Sequence, residues 1–134
     1  MLVGMADLVG LHHAALTVTD VERSARWYQG VLGMEEVFSE EGETRRAVIM
    51  RISGAGAAFA IVQHIGAEQP GFDPRRTGLD HLAFTVAHRG DMDDWAARLS
   101  AHGVAYDGPF DVPPGAILNF KDPDGIALSL FWDR

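Results

Sequence analysis

The chain contains two copies of one sequence pattern, and this duplication constrains the fold more than any other feature. The run Leu11–Val18 (LHHAALTV) recurs as Leu79–Val86 (LDHLAFTV), with a spacing of 68 residues between His13 and His81. Only two copies of this length fit in 134 residues, so the repeat predicts a duplicated supersecondary unit and not a solenoid. Each copy places a histidine near the start of an alternating apolar run. Two histidines related in this way can meet in one cavity.

Hydrophobic periodicity predicts the order strand, helix and three strands within each copy. Thr19 and Glu22 form a capping-box pattern at the start of the first helix, with Thr19 as the cap, and Gly33 follows its end at about Leu32. Turns are predicted at Glu40–Thr44 and Ser53–Gly56. The predicted strands lie at 12–18, 34–39, 45–52 and 57–64 in the first copy and at 80–87, 104–107, 115–120 and 126–132 in the second, whose helix is predicted at 91–102.

Alternation within the strands predicts a hollow on one side of the sheet. Bulky apolar residues such as Leu16 and Phe84 share one face, which should lie under the helices. The opposite face carries small and polar residues such as Thr17 and Thr85, whereas large apolar residues would fill a dry core there. The fold class is therefore α+β, with duplicated βαβββ modules forming a cupped, largely antiparallel eight-stranded sheet with two outer helices.

A loop from Ile65 to Gly78 joins the two modules, which we expect at 11–64 and 79–132 within a single domain spanning 1–134. Several polar and aromatic pairs have structural interpretations. A turn before the last strand accounts for Asp122 and Asp124 better than a catalytic carboxylate pair does. For Arg75–Arg76, a solvated doublet is favoured over a guard for an anionic ligand. The equivalent Trp27 and Trp95 pack a helix on the sheet.

The composition excludes several classes of function. The net charge of −8 and the lack of a basic cluster disfavour nucleic acid as a partner. The chain has no cysteine, which rules out disulfides, thiol nucleophiles and cysteine zinc sites and is typical of a cytoplasmic protein. No apolar run approaches the roughly 18–20 residues of a membrane helix, and residues 1–11 lack the pattern of a signal peptide.

Four segments in order carry a family resemblance. They are HHAALTVTD at 12–20, YQGVLG at 28–33, GLDHLAF at 78–84 and DPDG at 122–125. Together they resemble the vicinal oxygen chelate superfamily, which includes glyoxalase I, extradiol dioxygenases, fosfomycin-resistance thiol transferases and bleomycin-resistance proteins. The resemblance covers nearly the whole chain and implies paired βαβββ modules around a cleft, in a homodimer.

The same resemblance implies a divalent metal held by His13 and His81. Many members add a carboxylate on the last strand, where this chain has Ser129, and glyoxalase-type members add a fourth-strand ligand, where it has Ala60. Catalytic sites usually have three protein ligands, and a serine hydroxyl is a weak one. His64 shares the parity of Ala60 but lies about 13 Å further along the strand, too far to bind the same ion.

Two functions fit these residues. The first is binding of an apolar or aromatic small molecule in the sheet cleft, in the manner of a bleomycin-resistance protein with an incomplete metal site. The second is a divalent-metal-dependent lyase, isomerase, thiol transferase or dioxygenase, in which one ion at His13 and His81 polarises two vicinal oxygens. No other cofactor is expected. The ligand-binding residues predicted on the small and polar face are Thr17, Ala60, Val62, His64, Thr85, Ser129 and Phe131.

Overall fold

The computed structural model describes residues 4–52 and 58–134, which contain eight strands and two helices. The first module contains β1 (His13–Thr17), α1 (Val21–Gly30), β2 (Glu35–Glu41), β3 (Arg45–Arg51) and β4 (Ala58–His64). The second contains β5 (Leu82–Thr85), α2 (Asp91–Ala101), β6 (Tyr106–Val112), β7 (Gly115–Lys121) and β8 (Ala127–Asp133). The predicted α+β fold of duplicated βαβββ modules is confirmed. Neither of the described helices has the length and apolar character needed to cross a membrane.

Each module forms its own four-stranded sheet. The strand orders are β1-β4-β3-β2 and β5-β8-β7-β6, in which the first and last strands of a module pair in parallel and the other pairs are antiparallel. The described strands therefore form two sheets of four, where the sequence predicted one sheet of eight. The strands β1 and β5 each lie at the edge of a sheet and pair only within their own module.

The core lies between the modules and beneath the helices. In β1, Leu16 is buried and the neighbouring Ala15 and Thr17 are exposed, as the alternation predicted. The buried apolar residues of both modules form one cluster, in which the ring of Phe59 on β4 lies 5.9 Å from that of Phe84 on β5. The opposite faces of the two sheets therefore point away from this shared core.

We call the face opposite the core the open face of a module. Strand register and alternation place these residues on it: His13, Ala15, Thr17, Ala60, Val62 and His64 in the first module, and Ala83, Thr85, Asp107, Ile117, Asn119, Lys121, Ala127, Ser129 and Phe131 in the second.

Helix α1 starts differently from its predicted capping box. The N-cap is Asp20, whose carboxylate accepts a hydrogen bond of 3.1 Å from the backbone N–H of Arg23. Thr19, the predicted cap, instead donates its backbone N–H and its hydroxyl to the Asp124 carboxylate of the second module. Because this contact engages Thr19, capping of the helix falls to Asp20.

Strand β6 is longer than the sequence pattern predicted. The prediction ended at residue 107, whereas the strand continues to Val112. Its pairing with β7 shifts register between Asp107 and Phe110, across a Gly-Pro pair. An edge strand tolerates such an irregularity because its outer side needs no hydrogen-bond partner. The predicted turn at 53–56 lies outside the described residues.

Candidate functional site

A cavity of about 950 Å³ lies against the second module. Open-face residues of three strands contribute to its lining, namely Asp107 of β6, Ile117, Asn119 and Lys121 of β7, and Ala127 and Ser129 of β8. Its other walls come from the segment before β5, from the chain between α2 and β6, and from α1 of the first module. Those walls include His81, Val104 and Trp27, and Tyr106 at the start of β6 also contributes. The cavity is large enough for a small organic ligand.

Strand pairing fixes the polar centre of this cavity. Asn119 on β7 lies between Asp107 on β6 and Ser129 on β8, while Lys121 pairs with Ala127. The buried Ser129 hydroxyl donates to Oδ1 of Asn119 at 2.7 Å. Because this contact occupies the carbonyl oxygen of the Asn119 amide, its NH₂ group remains as the donor.

The two repeated histidines each contact the side chain before them. The Nδ1 atom of His81 lies 2.7 Å from Oδ1 of Asp80, and the Nδ1 atom of His13 lies 2.8 Å from Nδ1 of His12. In both residues Nε2 is left for another partner. His81 lines the large cavity, whereas His13 lies on the open face of the first module and is not part of that lining.

The described part of one chain does not gather three possible metal ligands at a single point. Within residues 4–52 and 58–134, no three histidine or acidic side chains lie close enough together to hold an ion. Ala60 pairs with Ala15 as Ser129 pairs with Ala83, so these two positions are equivalent in the modules, and neither carries a carboxylate. A catalytic centre usually needs three protein ligands.

The other predicted ligand-binding residues lie in several places. Thr17 lines a second cavity of about 350 Å³ that includes Arg76, and Thr85 lines a third of about 380 Å³ that includes Trp95. Ala60 and Val62 are buried on the first sheet, and His64 is exposed at the end of β4. Of the seven predicted residues, Ser129 lies in the large cavity. Strand pairing groups Thr17 with Val62 on the first sheet and Thr85 with Phe131 on the second, so the seven positions are distributed over two sheets.

Sequence reasoning missed Asn119, Lys121 and Asp107. The strand prediction ended at residue 120, and the faces of β7 were not assigned. Alternation across the antiparallel pair, counted from Ser129, would have placed Asn119 and Lys121 on the open face. Lys121 also carries a compositional signal, since it is the single lysine of the chain.

A buried network behind the cavity joins the modules. The Tyr28 hydroxyl of α1 donates to Oδ2 of Asp122 at 2.8 Å, and Oδ1 of Asp122 accepts from the backbone N–H groups of Asp124 and Ile126, each at 2.9 Å. Burial raises the pKa of the Asp122 carboxyl, although these hydrogen bonds oppose the shift. Burial, and then the nearby Asp122 carboxylate, raise the pKa of Tyr28.

The predicted turn at Asp122 is present, with the Gly125 backbone N–H donating to the Asp122 carbonyl at 3.0 Å. The neighbouring Asp124 carboxylate adds a second link between the modules, a salt bridge of 2.9 Å to Arg23. These two carboxylates therefore have structural partners, as expected, and also hold the modules together.

Comparison with known proteins gives consistent results along most of the chain. Residues 10–130 match the family model described as the glyoxalase/bleomycin resistance protein/dioxygenase superfamily. A solved glyoxylase/bleomycin resistance protein/dioxygenase domain from Frankia sp. EAN1pec superimposes with a TM-score of 0.89 and 36% identity. That match covers 96% of this chain and 100% of the Frankia chain.

Two curated relatives are ring-cleaving enzymes by name. The catechol-2,3-dioxygenase of Bacillus subtilis is 29% identical over 124 residues, which are 91% of this chain and 41% of that enzyme. The manganese-dependent 2,3-dihydroxybiphenyl 1,2-dioxygenase of Geobacillus genomosp. 3 is 25% identical over 131 residues, 96% of this chain and 38% of that enzyme. The chain thus spans about two fifths of the length of these dioxygenases.

Proposed function

Because the chain belongs to the glyoxalase/bleomycin resistance protein/dioxygenase superfamily, we propose that it binds a small molecule in the large cavity of its second module, beside an incomplete metal site. The proposal depends on one observation, the hydrogen bond of the Ser129 side chain. Where the family resemblance implies a carboxylate ligand, this chain has a buried hydroxyl that is hydrogen-bonded to Asn119 at 2.7 Å. A hydroxyl bonded in this way suits the polar surface of a ligand-binding cavity better than it suits coordination of a metal ion.

The walls of the cavity suit a ligand with an apolar or aromatic body. Trp27, Tyr106 and Ile117 line it beside the polar Asn119 and Lys121. Aromatic side chains give a large contact area, while a few polar groups fix the orientation of the ligand. This mixture supports an aromatic metabolite or drug over a fully polar substrate.

A second copy of the chain is part of the proposal. Phe38 on β2 and Phe110 on β6 expose 50% and 44% of their surface, and Leu8 and Val9 near the chain start are fully exposed. Large exposed apolar side chains on edge strands favour association. We therefore propose a homodimer in which a second copy covers part of the open faces.

Ligand binding is tested with a library of aromatic metabolites and drugs, measured as a rise in the thermal unfolding midpoint. Ala127→Trp places a large side chain in the cavity, and Ala97→Trp places the same side chain on the exposed surface of α2. We expect a stabilising ligand for the native chain and for Ala97→Trp, and none for Ala127→Trp. A ligand that stabilises all three equally would contradict the proposed site.

A metal-dependent enzyme is the second candidate, and the histidine contacts favour it. Asp80 engages Nδ1 of His81, an arrangement in which a carboxylate orients a metal-ligating imidazole through its other nitrogen. The second ligand would be His13 of another copy, since His13 of the same chain does not line this cavity. One bound divalent ion would supply Lewis-acid chemistry at two vicinal oxygens.

Turnover of a catechol with added Mn²⁺ tests this second candidate. Activity that depends on the metal and is lost in both His13→Ala and His81→Ala would favour the enzyme over the binding protein. Activity retained in both variants would exclude this histidine pair as the metal site.

A further inference from the structure

The single lysine of the chain lies in the proposed binding cavity. Lys121 is the last residue of β7, on the open face, and pairs with Ala127 of β8. Its exposed side chain contributes to the cavity lining. Because the paired residue is as small as alanine, there is room around the ammonium group for part of a ligand.

Lys121 differs from most basic residues of the chain because it has no acidic partner in the described structure. Six arginines form salt bridges with carboxylates, at Arg23, Arg45, Arg46, Arg51, Arg75 and Arg89. Among the described residues, no carboxylate oxygen lies within the 4.0 Å limit of a salt bridge to Nζ of Lys121. Its charge is therefore available to a ligand.

Asn119 supplies a second donor beside this charge. It lies two residues before Lys121 on the same face of β7, a backbone separation of about 7 Å. Its amide oxygen accepts the Ser129 hydroxyl, so its NH₂ group remains to donate. An ammonium and an amide donor side by side match an anionic group with two acceptor oxygens.

The acidic residues of the cavity limit how much negative charge a ligand can carry. Asp80 is engaged by His81, and Asp122 accepts hydrogen bonds from Tyr28 and two backbone N–H groups. Asp107 lies opposite Asn119 and is exposed. A second anionic group on the ligand would be repelled by these carboxylates. The cavity therefore favours one negative charge, placed at Lys121, on an otherwise apolar body.

We infer that the ligand is an aromatic monocarboxylate whose carboxylate is bound by Nζ of Lys121 and the amide of Asn119. This inference rests on the proposed function, since it assigns the chemical class of the ligand at the same cavity. In this inference Lys121 determines the preference of the cavity for a negatively charged ligand over a neutral one.

Calorimetric titration of the full chain with naphthoate and with naphthamide tests the inference, because the two probes differ only in the charged group. We expect naphthoate to bind native protein about tenfold more tightly than naphthamide. Lys121→Met should remove that difference by weakening naphthoate alone. Arg89→Met is the matched control, since Arg89 pairs with Asp111 outside the cavity, and it should change neither affinity.

Equal affinity for both probes, unchanged by Lys121→Met, would overturn the assignment of a carboxylate. If that equal binding is lost in Ala127→Trp, the proposed function still stands, because the cavity then binds ligands without preference for charge. If neither probe binds at millimolar concentration, the inference that the ligand is an aromatic monocarboxylate is wrong. The proposed function is then tested separately, by the library screen described above.

Discussion

Tyr28 and Asp122 show how a single pair of side chains can hold two modules together. Tyr28 is fully buried, and its hydroxyl donates to Asp122 at 2.8 Å although 94 residues separate them in the chain. Tyr28→Phe would leave a buried carboxylate oxygen without this donor, which costs about 1–3 kcal/mol of unfolding free energy. Chemical denaturation measures the loss. Tyr106→Phe changes an exposed hydroxyl and should cost less than about 0.5 kcal/mol; equal losses in the two variants would contradict the account.

The raised pKa of Asp122 predicts a pH dependence of stability. From about pH 4, where a free aspartate loses its proton, the unfolded chain releases the proton while the buried carboxyl of the folded chain retains it. The folded state binds more protons in this window, so this group's contribution to stability falls as pH rises from the ordinary value to the raised one.

Asp122→Asn has no proton to exchange, so its unfolding free energy should fall less steeply with pH across this window. Denaturation at a series of pH values compares it with the native chain and with Asp133→Asn, which alters an exposed carboxylate. Identical slopes in the native chain and Asp122→Asn would show that burial of Asp122 does not affect the pH dependence.

At the scale of elements, the N-cap residue of α1 depends on a contact between residues that are far apart in the sequence. Thr19 and Asp20 are both good capping residues, and the spacing to Glu22 favours Thr19. The structure assigns the cap to Asp20 because Thr19 binds Asp124 of the other module. A local pattern holds no information about that partner.

Asp20→Ala should therefore lower the unfolding free energy of the chain, because the first turn of α1 loses the acceptor for the Arg23 N–H. Thermal or chemical unfolding measures the change. Asp7→Ala removes a carboxylate from an exposed segment outside the helices and strands and serves as the control. A loss for Asp20→Ala no larger than that for Asp7→Ala would show that the cap does not stabilise the helix.

Where apolar and polar residues alternate regularly, the sequence predicted which face of the strand is buried. Where the alternation is interrupted, the strand bounds and faces were not predicted. The pattern around Leu16 and Thr17 assigned the buried and open faces of β1 correctly. Strand β6 was predicted too short because Gly108 and Pro109 interrupt the pattern and a register shift carries the strand past them. Of the two donors in the cavity, Lys121 lies one residue beyond the predicted end of β7, while Asn119 lies within the predicted strand, whose faces were not assigned.

At the scale of the whole molecule, duplication predicts two similar modules but not how they pack. The modules share a core through their apolar faces, where Phe59 and Phe84 meet. The open faces therefore lie on separate sheets, with His81 in the large cavity and His13 outside its lining. The sequence predicts the two histidines as equivalent positions, and the proposal of a shared metal site brings them together through a second copy of the chain.

Metal content tests the central claim, that the second module contains a ligand cavity and an incomplete metal site. The measurement is elemental mass spectrometry on untagged protein from metal-supplemented cells, alongside His13→Ala and His81→Ala. We predict well below one bound metal ion per chain for the native protein, because one chain offers no three-ligand centre among its described residues. Close to one ion per chain, lost in both variants, would contradict the claim and make the metal-dependent enzyme the better account.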